Sequence, residues 1–199
     1  VLAVQLAIKH SLSGRPGPCA CLFRANALRE PVPDNGLPEI HDTARLLYAP
    51  MSVPSSGALD AAASILCGSS APVIVAGNGI RSSRAFDELQ AMAELLGAPV
   101  VTSTLGKSAI AETHDLAAGP IGYTGMPLAN DIVGVADTLL VVGCRLKPQE
   151  TCFEHPKMFD PNRQSIIQID IEPRNASWTI PAEVALLGDA AASLCLLHE

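Results

Sequence analysis

Five short apolar runs constrain the fold of this chain more than anything else in it. They are "PVIVAG" (72–77), "APVVTST" (98–104), "TLLVVG" (138–143), "SIIQIDI" (165–171) and "EVALLGD" (183–189). Each is too short for a helix, and successive positions are apolar instead of alternating with polar ones. A strand of that kind must be covered on both faces, as strands of a parallel sheet are. The segments between them have helical character. "ALDAAASILCGSS" (58–70) is closed by Gly68, and "PLANDIVGVA" (127–136) and "AAASLCLLHE" (190–199) follow later. "SRAFDELQAMAELLG" (83–97) places Ala85, Leu89, Met92, Ala93 and Leu96 on one stripe, with Asp87 and Glu88 near its positive end and Gly97 as its stop. The expected fold is therefore α/β. It is a doubly wound, mainly parallel Rossmann-like sheet of about five core strands with helices on both faces.

The first third reads differently. "VLAVQLAIKHSLSG" has no initiator Met and starts inside an amphipathic helix; "RPGPCACLF" then supplies a turn and an apolar strand. A lone helix and strand cannot bury both their faces, so 1–24 is expected to be the tail of a preceding domain. From 25 to 57 the sequence is rich in Pro, Asn, Asp, Ser and Gly without a period, as an interdomain linker would be. The βα units occupy 58–199.

Charge removes one class of function. The chain carries a net charge of −7, and no basic footprint for neutralising nucleic-acid phosphates is visible. None of the six cysteines forms a CxxC pair. Four lie in or beside apolar runs, which suits buried free thiols in a reducing cytosol. Cys152 and His155 have the spacing of half a zinc site, without the other half. No stretch is long enough to span a membrane and no signal peptide precedes the first strand, so a cytoplasmic location is expected.

Parallel sheets bind ligands beyond the C-terminal ends of their strands. Those ends carry Gly77, Asn78 and Gly79; then Thr102, Ser103 and Thr104; then Gly143 and Arg145; then Asp170; and finally Gly188 and Asp189. Glycines let backbone amides approach an anion, hydroxyls bond it, and an aspartate takes a ribose diol. Each has a plainer reading: a tight turn for the glycines, caps for the hydroxyls, a buried polar pair for Asp170. A dinucleotide fingerprint fails at Ser82, where a third glycine belongs, and "LGKS" (105–108) lacks the first glycine of a P-loop. His114 beside Asp115 reads as a solvated loop pair. No catalytic constellation is visible.

The order of segments from "PVIVAGNG" through "TSTLGKSAIAETHDLAAGPIGYTGMPLANDIVGVADTLLVVGCRL" to "SIIQIDIEPRNASWTIPAEVALLGDA" resembles the central domain of thiamine-diphosphate-dependent enzymes of the acetolactate synthase and pyruvate oxidase group. "GRPGPCACLF" resembles the end of that family's pyrimidine-binding domain. The resemblance implies a fragment of an enzyme that decarboxylates and ligates 2-oxo acids, assembled as a homodimer or homotetramer. Thiamine diphosphate and Mg²⁺ would be bound by domains absent here. It also implies FAD or ADP as a ligand of this domain, at positions matching Gly77, Gly79, Thr102, Thr104, Gly143, Arg145, Asp170 and Asp189. The family's Gly-Met-His-Gly is replaced by Gly122-Tyr123-Thr124-Gly125, and the two aspartates after the arginine are missing. A stand-alone nucleotide-binding or regulatory module is the alternative.

Overall fold

The computed structural model describes residues 2–31, 40–47 and 51–199, and clusters into two compact units, 1–50 and 51–199. The first holds helices α1 (Leu2–Leu12) and α2 (Thr43–Leu46). Buried Gln5 of α1 donates from Nε2 to the His41 carbonyl at 2.7 Å, and Asp42 caps α2 by accepting from the Ala44 amide. The apolar strand expected in "RPGPCACLF" is not formed. Those residues are exposed and have no ladder partner, and without one an extended segment is no strand. Parts of the proline-rich linker, 32–39 and 48–50, lie outside the described residues.

The second unit is the α/β domain. In chain order it contains α3 (Ser56–Gly68), β1 (Pro72–Ala76), α4 (Asn78–Ser83), α5 (Phe86–Leu96), β2 (Val100–Thr102), β3 (Ala117–Pro120), α6 (Pro127–Val135), β4 (Thr138–Val142), β5 (Ser165–Asp170), β6 (Val184–Leu187) and α7 (Ala190–His198). The six strands form one sheet in the order β3-β2-β1-β4-β5-β6, every pairing parallel. The order reverses between β1 and β4, which pair from Pro72↔Thr138 to Ala76↔Val142. Crevices at such reversals are where open parallel sheets take ligands. The sheet has one strand more than expected, because β3 lies in a stretch read as a loop.

Both faces are buried, as the apolar runs require. Ile74, Ala76, Leu140, Val142, Ile167, Ile169 and Leu186 point into a core shared with α3, α5 and α7. Their neighbours Val73, Val75, Leu139, Val141 and Ile166 point to the other side. That second face is covered by α6, through Ala129 and Val133, and by loop residues Leu146, Met158, Phe159 and Ile180. An irregular segment thus does the work of a second helix.

The helix expected over 83–97 forms as α5 from Phe86 to Leu96, three residues later than its expected start, and the short α4 precedes it. Arg84 takes a left-handed conformation (φ 59°) as the C-cap of α4, and α5 starts at Phe86. Asp87 and Glu88 lie in its first turn, and Gly97 ends it at φ 59°. At the opposite end of the sheet Asp137 fastens β1 to β4. Its carboxylate accepts from the Ser69 hydroxyl and from the amides of Ser70 and Ala71 at 2.7 and 3.0 Å. The Ser69 bond above all, with those amides, holds the Asp137 carboxyl below the usual carboxylate range.

Only Cys144 of the six free cysteines is buried, against the expectation for four. Cys67 and Cys195 sit on the outward sides of α3 and α7, so an apolar neighbourhood in sequence does not place them in the core. No helix among the described residues is long and apolar enough to cross a membrane.

Candidate functional site

The candidate residues gather, as expected, around the C-terminal ends of the strands, but many of their polar groups are already engaged by the protein. Gly77 donates its amide to the Val142 carbonyl at 2.8 Å, and Gly79 donates to the Gly143 carbonyl at 3.0 Å. A Cβ on Gly79 would lie 2.4 Å from the Gly143 Cα, and one on Gly77 would lie 2.2 Å from the Gly143 oxygen. Gly143 itself has φ +57° and would carry any Cβ to 2.4 Å from the Gly79 Cα. These three glycines are the contact between the turns that leave β1 and β4. With their amides spent on carbonyls, Gly77 and Gly79 have no donor left for a phosphate. A side chain at position 79 meets the backbone of position 143 before it meets a ligand.

The turn after β2 closes over the same spot. The Ser103 amide donates to the Ala76 carbonyl at 2.9 Å, and its hydroxyl accepts from the Gly106 amide at 3.0 Å, opening a 3₁₀ turn over Thr104–Gly106. Gly106 lies against the Ala76 carbonyl, where a Cβ would be 2.2 Å away. Thr102 is buried and Thr104 exposed. Ser103 is therefore a cap, and Thr104 stands at the start of a turn too short to concentrate a dipole.

Asp170, the last residue of β5, is 6% exposed. Its Oδ1 accepts from the Glu172 amide at 2.9 Å and from Asn175 Nδ2 at 3.1 Å. Asp189 stands apart from this group. It caps α7, accepting from the amides of Ala191 and Ala192 at 3.0 and 3.2 Å and from the Ser83 hydroxyl at 2.7 Å. That carboxylate ties α7 to α4, so Gly188-Asp189-Ala190 is a helix start. Among the described residues no group of three or more His, Cys, Asp or Glu is arranged to hold a metal ion. Among the described residues the carboxylates that would be needed to hold Mg²⁺ are therefore not brought together.

Arg145 keeps its donors. Its guanidinium lies 4.7 Å from the centre of the Trp178 ring, and no carboxylate among the described residues pairs with it. The next cation along, Lys147, is engaged: its Nζ lies 3.6 Å from Glu150, a carboxylate only 5% exposed. Glu150 also accepts from the Lys147 amide at 2.9 Å and from the Cys144 thiol at 3.5 Å. Burial first, and the Glu150 charge second, push the Cys144 thiol up. A neutral, inert thiol results.

Sequence reading misses Trp178, 33 positions from Arg145, because nothing local announces a contact across two loops. It also misses the pairing of His114, whose Nε2 faces Glu94 at 3.2 Å instead of the neighbouring Asp115. The Leu116 amide donates to His114 Nδ1, fixing the ring between α5 and the approach to β3.

Comparison with known proteins agrees with this architecture. Residues 59–197 match the model of the family "Thiamine pyrophosphate enzyme, central domain". A sulfoacetaldehyde acetyltransferase from Castellaniella defragrans is 38% identical over 135 residues, covering 68% of this chain and 23% of that protein. A probable acetolactate synthase large subunit from Methanococcus aeolicus is 32% identical over 185 residues, covering 92% and 30%. The isozyme 3 large subunit of acetolactate synthase from Escherichia coli is 31% identical over 180 residues, covering 89% and 30%. A solved structure from Mycobacterium smegmatis, described as a thiamin diphosphate-dependent enzyme, superposes with TM-score 0.62 at 24% identity, over 83% of this chain and 31% of that one. The chain therefore spans less than a third of the length of these relatives. With the sheet order, the strand-end turns and these matches together, the chain belongs to the family of thiamine pyrophosphate enzyme central domains.

Proposed function

We propose that this chain supplies the central domain of a cytoplasmic thiamine-diphosphate-dependent enzyme that decarboxylates a 2-oxo acid and transfers or ligates the fragment. In such an enzyme the cofactor supplies carbanion stabilisation and the protein supplies binding and orientation. This domain contributes a rigid scaffold and a strand-end face for an adenine nucleotide, ADP or FAD. The observation that carries the nucleotide reading is Arg145, a half-buried guanidinium beside the β1/β4 reversal with no carboxylate partner among the described residues. A guanidinium with free in-plane donors suits a phosphate oxygen pair. Asp170, with Oδ1 held by Glu172 and Asn175, offers Oδ2 to a hydroxyl.

Calorimetric titration with ADP and FAD tests the reading. Arg145→Ala is expected to weaken binding by about 1.5–3 kcal/mol, the scale of a charged hydrogen bond. No heat and no thermal shift at millimolar nucleotide would refute it. The 199-residue chain, given pyruvate, thiamine diphosphate and Mg²⁺, is expected to form no product above a protein-free control.

A further inference from the structure

The contact between Arg145 and Trp178 is held from several sides. Residues flanking Arg145 are bonded from β5 and from the loop that presents Trp178. Gln168 Nε2 donates to the Cys144 carbonyl at 3.0 Å, and the Thr179 hydroxyl donates to the Leu146 carbonyl. The same Gln168 is buried at 1% exposure, donates to the Asn175 carbonyl at 3.2 Å, and accepts from the Ser177 amide at 2.8 Å. One amide side chain thus holds both loops. Beside each partner the backbone is left-handed at a non-glycine residue, Leu146 at φ 53° and Ser177 at φ 56°. Such conformations persist only where the surroundings enforce them.

The result is an indole that is 50% exposed and not a core residue. What it does is sit against the Arg145 guanidinium, whose Cζ lies over the ring 4.7 Å from its centre, and such a contact holds the cation without spending an N–H donor on a protein oxygen. An arginine side chain in solution samples many rotamers, and fixing it on a ring removes that cost before a ligand arrives. From this we infer that Trp178 is the positioning residue of the strand-end site: it holds Arg145 ready for the oxyanion of a nucleoside diphosphate. The inference rests on the nucleotide reading above, and adds to it the residue that sets phosphate affinity.

Calorimetry on the 199-residue chain with three probes tests it: ADP, inorganic pyrophosphate and adenosine. Trp178→Leu is expected to weaken ADP and pyrophosphate about five- to tenfold and to change adenosine by less than about twofold. Trp178→Phe, which keeps a ring face, is expected to recover most of the loss. As a check on folding, both variants should melt within about 3 °C of the wild type, as half-exposed substitutions do. In the wild type the Arg145 Nε–H proton resonance should be shifted by the indole ring current, and Trp178→Leu should abolish that shift. Equal ADP affinity in wild type and Trp178→Leu would overturn the inference while leaving the nucleotide reading standing. Parallel weakening of all three probes would also overturn it, since the indole would then be serving the base or the fold. Absence of ADP and FAD binding by the wild type would overturn both.

Discussion

Two glycines with nearly the same backbone provide a controlled test of the junction between the β1 and β4 turns. Gly97 (φ +59°) and Gly143 (φ +57°) are both left-handed, but a Cβ on Gly97 meets nothing within 4 Å, whereas on Gly143 it lies 2.4 Å from the Gly79 Cα and 2.8 Å from its nitrogen. Gly97→Ala therefore costs only the left-handed penalty, about 1 kcal/mol. Gly143→Ala carries that penalty and an overlap of more than an ångström against backbone that cannot rotate away, about 1–3 kcal/mol. Separation of the turns also strains the bonds from Gly79 N to Gly143 O at 3.0 Å and from Gly143 N to Ile169 O at 2.8 Å, at about 0.5–1.5 kcal/mol each. The expected loss is about 3–7 kcal/mol for Gly143→Ala against about 1 for Gly97→Ala. At about 2–4 °C per kcal/mol for a domain of this size, the two melting points should differ by about 10 °C. Urea titrations followed by far-ultraviolet circular dichroism measure the difference directly. In the double variant Gly79→Ala/Gly143→Ala the losses should sum to less than additive, since the first overlap already parts the turns. If Gly97→Ala and Gly143→Ala fall within about 1 kcal/mol of each other, the close-approach argument is refuted.

Three further outcomes are expected. Asp137→Ala, which removes three bonds at the base of the sheet, should cost about 2 kcal/mol near neutral pH. Because the folded carboxyl is held below its unfolded value of about 3.9, its contribution is present above that pH and is lost as pH falls through the lower folded value. The stability gap between wild type and variant should therefore close in acid, and a gap that widens below pH 4 would contradict the assignment. With a thiol reagent, Cys19, Cys21, Cys67 and Cys195 should label in the native protein while Cys144 labels only after denaturation; peptide mass spectrometry reads which is which. Glu94→Gln should loosen the tie between α5 and His114, seen as faster hydrogen exchange at the Leu116 amide, with little change at β4.

The strands that could be read from sequence are those where side chains had to fill both faces. β1, β4 and β5 are runs of Val, Ile and Leu because the sheet buries them twice over. β3 is Ala-Ala-Gly-Pro at half burial, and small residues give no periodic signal at a sheet edge. The break at Arg84 was invisible for a different reason. No glycine or proline marks it, and the turn is set by the Ala85 amide reaching the Ile80 carbonyl. Glycines at 77, 79 and 143 could be read as positions needing close approach, but sequence does not say what approaches. A phosphate and a carbonyl place the same demand on a Cβ. Asp189 shows the same ambiguity, since a carboxylate before a helix suits a ligand and a cap equally.

The composition of β3 has a consequence for how the molecule behaves in company. An outermost strand exposes a row of unpaired donors and acceptors that can template another chain. Ile121 turns its amide inward to the Thr102 carbonyl, so by alternation the preceding position faces outward. That position is Pro120, which has no amide to offer. Next to it Gly119 is left-handed (φ +88°), and the register slips between Val100 and Val101, so the margin is neither flat nor regular. The strand is only four residues long. A copy arriving at this border finds a short, kinked and donor-poor line that cannot seed a continuous ladder. Concentrated solutions of the domain are thus guarded against fibril growth on this side by two consecutive residues, Gly119 and Pro120.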